Sequence, residues 1–116
     1  MTTRLLAGAA LALAVAACGT ETAPSPMAKV FKGDGSTQCA NNGTSVEDMS
    51  KELSDAGVDV LCGQKGADGY GYCAACGCGT GQINVYTIHA ENVPDAEARG
   101  FAPVSDLPDY QDQPCT

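Results

Sequence analysis

Cys73, Cys76 and Cys78 fall inside the glycine-rich stretch YCAACGCGTG, residues 72–81. Thiolates at a C-x2-C-x-C spacing could wrap zinc, copper(I) or an iron–sulfur cluster. The first two, in Cys73-Ala74-Ala75-Cys76, also match the C-x-x-C spacing of thiol–disulfide exchange. The third chemistry is cross-linking, with the cluster forming half of a disulfide framework completed by Cys39, Cys62 and Cys115. Zinc sites usually bring a second pair of ligands at similar spacing, yet the single histidine, His89, sits on or just after a strand-like run. A reactive C-x-x-C works at a helix N-terminus, whereas glycines follow Cys76. The choice therefore depends on the compartment the chain reaches.

Other residues with chemical potential resolve into structure. His89 has no serine or carboxylate partner legible nearby, and a Cys–His nucleophile would need a free thiol. Asp48 with Glu52 and Asp95 with Glu97 fall on solvated helix faces rather than forming an acid–base pair. GCGTG lacks the Lys-Ser/Thr of a phosphate loop and is followed by a strand, not a helix. KGDGSTQ, residues 32–38, has one carboxylate where a calcium loop alternates several, so it reads as a turn. Asn42-Gly43-Thr44 has the spacing of a glycan acceptor, a match whose weight again depends on where the chain is exported.

The N-terminus supplies the compartment. Arg4 precedes an unbroken small or apolar run from Leu5 to Ala17, shorter than the about 20 residues a spanning helix needs. A positive residue, an apolar run and Val15-Ala16-Ala17-Cys18 follow in the order of an export signal. This segment resembles the lipobox of bacterial lipoproteins. The resemblance implies cleavage before Cys18, a diacylglyceryl group on its thiol and acylation of the new terminus. Two or three acyl chains hold a protein firmly where one holds it marginally. Gly19, rather than an aspartate, follows the cysteine, which in the family's sorting pattern favours the outer membrane over the inner.

The expected organisation is a signal at 1–17, a lipidated N-terminus and flexible tether at 18–28, and one cysteine-rich domain at 29–116. Beyond Cys18, five basic residues (Lys29, Lys32, Lys51, Lys65, Arg99) face 14 acidic ones. That balance excludes nucleic acid as a partner and leaves membrane attachment to the acyl chains. With two Phe and no Trp, the core is small enough to need covalent staples.

Val46, Met49, Leu53 and Ala56 define one helix face within residues 44–57, with Thr44 and Glu47 at capping-box spacing, Glu47 and Lys51 as an i,i+4 pair and Gly57 as terminator. VDVLC (58–62) and INVYTIHA (83–90) alternate as strands. Asp68-Gly69 marks a turn between them. A short helix is expected from Asn92–Pro94 to Gly100, an early strand within residues 27–39 and a late one near 101–105. The fold class is α+β: a small two-layer domain with two helices on a mainly antiparallel sheet, ordered β-α-β-β-α-β as in ferredoxin-like folds, and disulfide-stapled.

With Cys18 lipidated, six cysteines remain, an even set suited to an oxidising compartment. If residues 76–78 are extended, Cys76 and Cys78 are poorly placed to bond each other. The cluster then pairs outward with Cys39, Cys62 and Cys115. A bond from Cys62 to Cys73 or Cys76 would clamp the hairpin, and one at Cys115 would fasten the C-terminal tail. The domain also resembles small exported bacterial proteins of unknown function, through Gln38-Cys39, SDAGVDVLCG, Asp68-Gly69, Cys76-Gly77, INVYTI and Gly100-Phe101, with Cys73 and Cys78 as extras. That resemblance implies no activity. The expectation is a lipid-anchored cell-envelope protein facing the periplasm, a non-catalytic interaction or structural module without cofactor or metal, whose partners are the membrane and an envelope protein or cell-wall component. The alternatives are metal binding through Cys73, Cys76 and Cys78, and thiol–disulfide exchange through Cys73 and Cys76.

Overall fold

The computed structural model describes residues 26–115; the expected signal and Cys18 lie outside the described residues. Four strands, β1 (Met27–Gly33), β2 (Cys62–Ala67), β3 (Gln82–His89) and β4 (Ala102–Pro103), form one sheet in the order β2-β3-β1-β4. Every pairing is antiparallel. Helices α1 (Val46–Asp55) and α2 (Val93–Glu97) join β1 to β2 and β3 to β4. The domain is therefore α+β, and three disulfides staple it. It begins earlier than the expected tether boundary: Met27 and Ala28 pair with His89 and Ile88.

Helix α1 follows its apolar period, burying Met49 and Leu53 against the sheet. Its cap differs from the expected one. Ser45, not Thr44, is the N-cap, and its hydroxyl accepts from the Asp48 amide at 3.0 Å. Thr44 instead spends its backbone on the preceding loop, donating to Asp34 O at 2.8 Å. Lys51 pairs with Asp48 at 3.3 Å rather than with Glu47. The helix ends as expected at Gly57, whose positive φ of 77° lets Gly57 N donate to Ser54 O and Val58 N to Leu53 O. Helix α2 ends by the same device at Gly100, with Phe101 N donating to Ala96 O. In each case the next residue, Val58 or Phe101, is a core residue, so helix termination and core anchoring coincide.

The strand expected at 58–62 starts only where that run ends. Residues 58–61 are the lead-in, and β2 itself reads CGQKGA. Gly63 is needed there because a Cβ would meet Val46 at 2.8 Å and the Tyr86 ring at 3.1 Å. Central β3 is buried on both faces, as a strand covered on both sides must be. Tyr86 and Ile88 join Val30, Leu53, Val58, Ala96 and Phe101 under the helices. Ile83 and Val85 face the other way, against Leu107, Phe31, Val104 and Tyr110. The C-terminal segment thus covers a face that a two-layer reading leaves bare. Lys29 donates to Asp112 Oδ1 and Gln113 O, Gln64 donates to Gln113 O, and Cys115 bonds Cys62.

Candidate interaction site

Two loops leave the same end of the sheet, on either side of β3. One follows β1 and runs through residues 34–45; the other follows β2 and runs through 68–81. Each opens on an Asp-Gly turn whose aspartate is buried. Asp34 Oδ1 accepts from the Ser36 amide at 2.8 Å, and Asp68 Oδ1 from the Tyr70 amide at 2.9 Å. Each aspartate also donates its own backbone N–H to the start of β3, Asp34 to Gln82 O and Asp68 to Gly81 O. The side chain of an Asx turn replaces a missing backbone partner, so these residues convert a strand end into a fixed loop origin.

The 34–45 loop rests on a polar network. Lys65 reaches from β2 to Asp34 Oδ2 at 2.8 Å and to Thr44 O at 3.2 Å. Ser36 donates its hydroxyl proton to Asp34 Oδ1 at 2.6 Å, so the 2.5 Å contact between the Ser36 and Thr80 hydroxyls takes its proton from Thr80. Burial pushes the Asp34 pKa up, but Lys65 and the Ser36 donors outweigh it and hold the carboxyl below its usual range. Asn84, fully buried in β3, donates to Thr44 O and Ser45 O, and Tyr86 donates to Val46 O at 2.6 Å. A cleft of about 370 Å³ opens above this network, lined by Ser36, Asn41, Asn42, Ser45, Thr80 and Gln82 beside the Asp34–Lys65 pair.

Disulfides brace the second loop. Cys39–Cys76 ties it to the first, with Cα atoms 5.1 Å apart. Thr37 and Gly79 form a bridge beside that bond, Gln38 N donates to Cys78 O and Gly77 N donates to Gln38 O. Cys73–Cys78 closes a small ring inside the loop. This pairing differs from the expected one in two respects. Cys78 bonds within the cluster, because residues 75–78 turn rather than extend. Cys62 takes Cys115 instead of a cluster cysteine, because its side chain lies on the sheet face that the tail crosses. Cys76 does pair outward, with Cys39. Cys73 and Cys76, the C-x-x-C pair, are not bonded to each other, and the sulfurs of Cys73, Cys76 and Cys78 are all committed to disulfides.

Tyr72 lies over the second loop's return strand. A Cβ at Gly79 would meet its ring at 3.2 Å and one at Gly81 at 2.6 Å, so the ring rests on bare glycine backbone. Its hydroxyl donates to Asp68 Oδ2. That hydrogen bond, then burial, raises the Tyr72 pKa. Tyr72 stays 46% exposed and neighbouring Tyr70 55%. Residues 35–45 and 69–81 contain no Asp, Glu, Lys or Arg in a chain of net charge −8. The two stretches themselves carry hydroxyls, amides, glycines and two tyrosine rings, and the charges at this end are those at their roots, the Asp34–Lys65 pair and Asp68.

The remaining candidates lie elsewhere. His89 ends β3 at the opposite end of the sheet, paired with Met27, and its buried Nδ1 has no hydrogen-bond partner among the described residues. Among the described residues no three His, Cys, Asp or Glu side chains are grouped to hold a metal ion, and no helix is long and apolar enough to cross a membrane. Asp34, Asp68 and Tyr72 were not legible as site residues, although both Asp-Gly dipeptides announce turns. No protein-family model, curated protein or solved structure matches this chain.

Proposed function

We propose that the protein is a lipid-anchored cell-envelope module that acts by binding, not catalysis, and that the two braced loops form its binding face. The observation that carries this reading is the charge-free pair of loops on an otherwise acidic chain, each rooted in a buried aspartate and joined by Cys39–Cys76. Holding a loop in one conformation before contact lowers the entropy cost of association, which is what covalent bracing of a binding surface achieves. Disulfides also accord with an exported, oxidising setting. Anchoring through Cys18, an outer-membrane position and partnership with an envelope protein or wall component belong to the same proposal, as does a ferredoxin-like assignment. The order β2-β3-β1-β4 with two helical crossovers supports that assignment, although α2 and β4 are short.

Site-specific photo-crosslinking in intact cells tests the binding face. A crosslinker at Tyr70 should give discrete adducts, and one at Glu91, exposed beyond the opposite end of β3, should give few. Equal labelling from both positions, or none from Tyr70, would overturn the assignment. Cys18→Ser should release the protein from membranes; unchanged attachment would remove the lipid anchor from the proposal.

A further inference from the structure

The geometry of Tyr72 points to the class of ligand: we infer that its ring is a stacking platform for a neutral saccharide. The inference rests on the binding-face reading above. Three observations combine. First, the ring is held from its own loop yet stays 46% exposed. A side chain at Gly81 would clash with it and one at Gly79 would crowd it, and Asp68 holds the hydroxyl. Such a ring loses little freedom on binding, and aromatic groups supply large contact area per immobilised torsion.

Second, the surroundings suit hydroxyls and amides rather than charges. Thr37 is opposite Gly79 across the bridge, so its side chain emerges on the same side as Tyr72. The Asn42 carboxamide donates to the Thr37 hydroxyl at 3.0 Å and accepts from the Thr37 amide at 2.9 Å. Each can still turn a lone pair or the second amide hydrogen towards a ligand. Tyr70 stands exposed two residues from Tyr72. Third, residues 35–45 and 69–81 carry no charged side chain, and the charges at their roots are already engaged, Lys65 with Asp34 and Asp68 with the Tyr72 hydroxyl, which favours a neutral ligand over an ionic one. The apolar face of a pyranose against a fixed ring, with its hydroxyls or N-acetyl group meeting neutral polar groups at the edge, matches that inventory. A proline-rich peptide would also stack on tyrosine, but it docks in grooves lined by several aromatic side chains, and residues 35–45 and 69–81 hold only Tyr70 and Tyr72.

The chain contains four tyrosines and no tryptophan, and two of the tyrosines, Tyr70 and Tyr72, lie at the site, so tyrosine fluorescence responds to its occupation. The oxidised full chain is titrated with chitotetraose, a neutral N-acetylated saccharide, with a prolyl-alanyl repeat peptide as comparison. Saturable quenching by the saccharide is expected, weakened about tenfold or more in Tyr72→Ala, as loss of an aromatic contact implies, and less in Tyr72→Phe. Intact mass verifies that each variant retains three disulfides. Quenching by chitotetraose that survives Tyr72→Ala, or its absence at millimolar concentrations in the parent, overturns the inference. The crosslinking at Tyr70 separates the two levels. Peptide binding or a protein adduct without saccharide binding removes the saccharide and leaves the binding face; failure of saccharide, peptide and crosslink together removes both.

Discussion

Asp34 and Tyr72 carry opposite kinds of pH dependence, and each follows from its neighbours. Asp34 has a depressed pKa in the fold because Lys65 and Ser36 stabilise its carboxylate. The unfolded chain therefore binds that proton more tightly, and the stabilisation is present above the unfolded value of about 3.9 and lost as pH falls through the folded one. Acid unfolding followed by circular dichroism should begin at lower stability in Asp34→Asn, with a shallower loss below about pH 4. At neutral pH the substitution should cost about 2 kcal/mol, since it replaces a charged acceptor of several hydrogen bonds. Tyr72 is the reverse case. Its pKa is raised by Asp68, so its contribution is full below about pH 10 and lost as pH climbs through the folded value. Ultraviolet titration at the phenolate band should find two late-ionising tyrosines, Tyr72 and the buried Tyr86, and Asp68→Asn should bring back only the first. A Tyr72 that titrates with free tyrosine would remove the anchor from the platform.

At the level of elements, the legible parts are those with a repeating pattern. Helix α1 announced itself through Val46, Met49 and Leu53, and β3 through alternating β-branched residues. Both helix stops, Gly57 and Gly100, were readable as glycines beyond a periodic run. The cap was misplaced by one residue because Thr44 and Ser45 are equally good acceptors, and only the tertiary pull of Asp34 and Asn84 on Thr44 decides between them. Ser45→Ala should accordingly cost about 1 kcal/mol in denaturant unfolding. Thr44→Ala should stay within about 0.5 kcal/mol; the opposite order would restore Thr44 as the cap. Strand β2 was misplaced for another reason. Its glycines answer to crowding by other elements, Gly63 to Val46 of α1 and Tyr86 of β3 and Gly66 to Val85 and Ile83 of β3, a requirement that leaves no apolar alternation to read.

For the whole molecule, the C-terminal segment is the part least visible in one dimension. Leu107 and Tyr110 are isolated apolar residues in proline- and aspartate-rich text, yet they cover Ile83 and Val85. Cys62–Cys115 holds the end of that segment across a separation of 53 residues. Cys115→Ser, paired with Cys62→Ser to avoid a stray thiol, should lower stability by about 2–4 kcal/mol. Hydrogen exchange should accelerate in β2 more than in α1, because the tail crosses β2. Exchange rising equally in both would contradict the tail's role as a cover for one face. Cysteine pairing escaped the sequence partly for the same long-range reason: Cys39–Cys76 depends on two loops meeting beyond one end of the sheet and Cys62–Cys115 on the tail crossing β2. Cys73–Cys78 instead follows from the local turn at residues 75–78.

The binding face stands on that pairing, so the disulfide map is the most direct test. Proteolysis of the native, alkylated full chain followed by mass spectrometry should recover Cys39–Cys76, Cys62–Cys115 and Cys73–Cys78, with none of these six cysteines alkylated. A Cys73–Cys76 bond, or free thiols at Cys73, Cys76 or Cys78, would contradict the account and return that cluster to redox or metal chemistry.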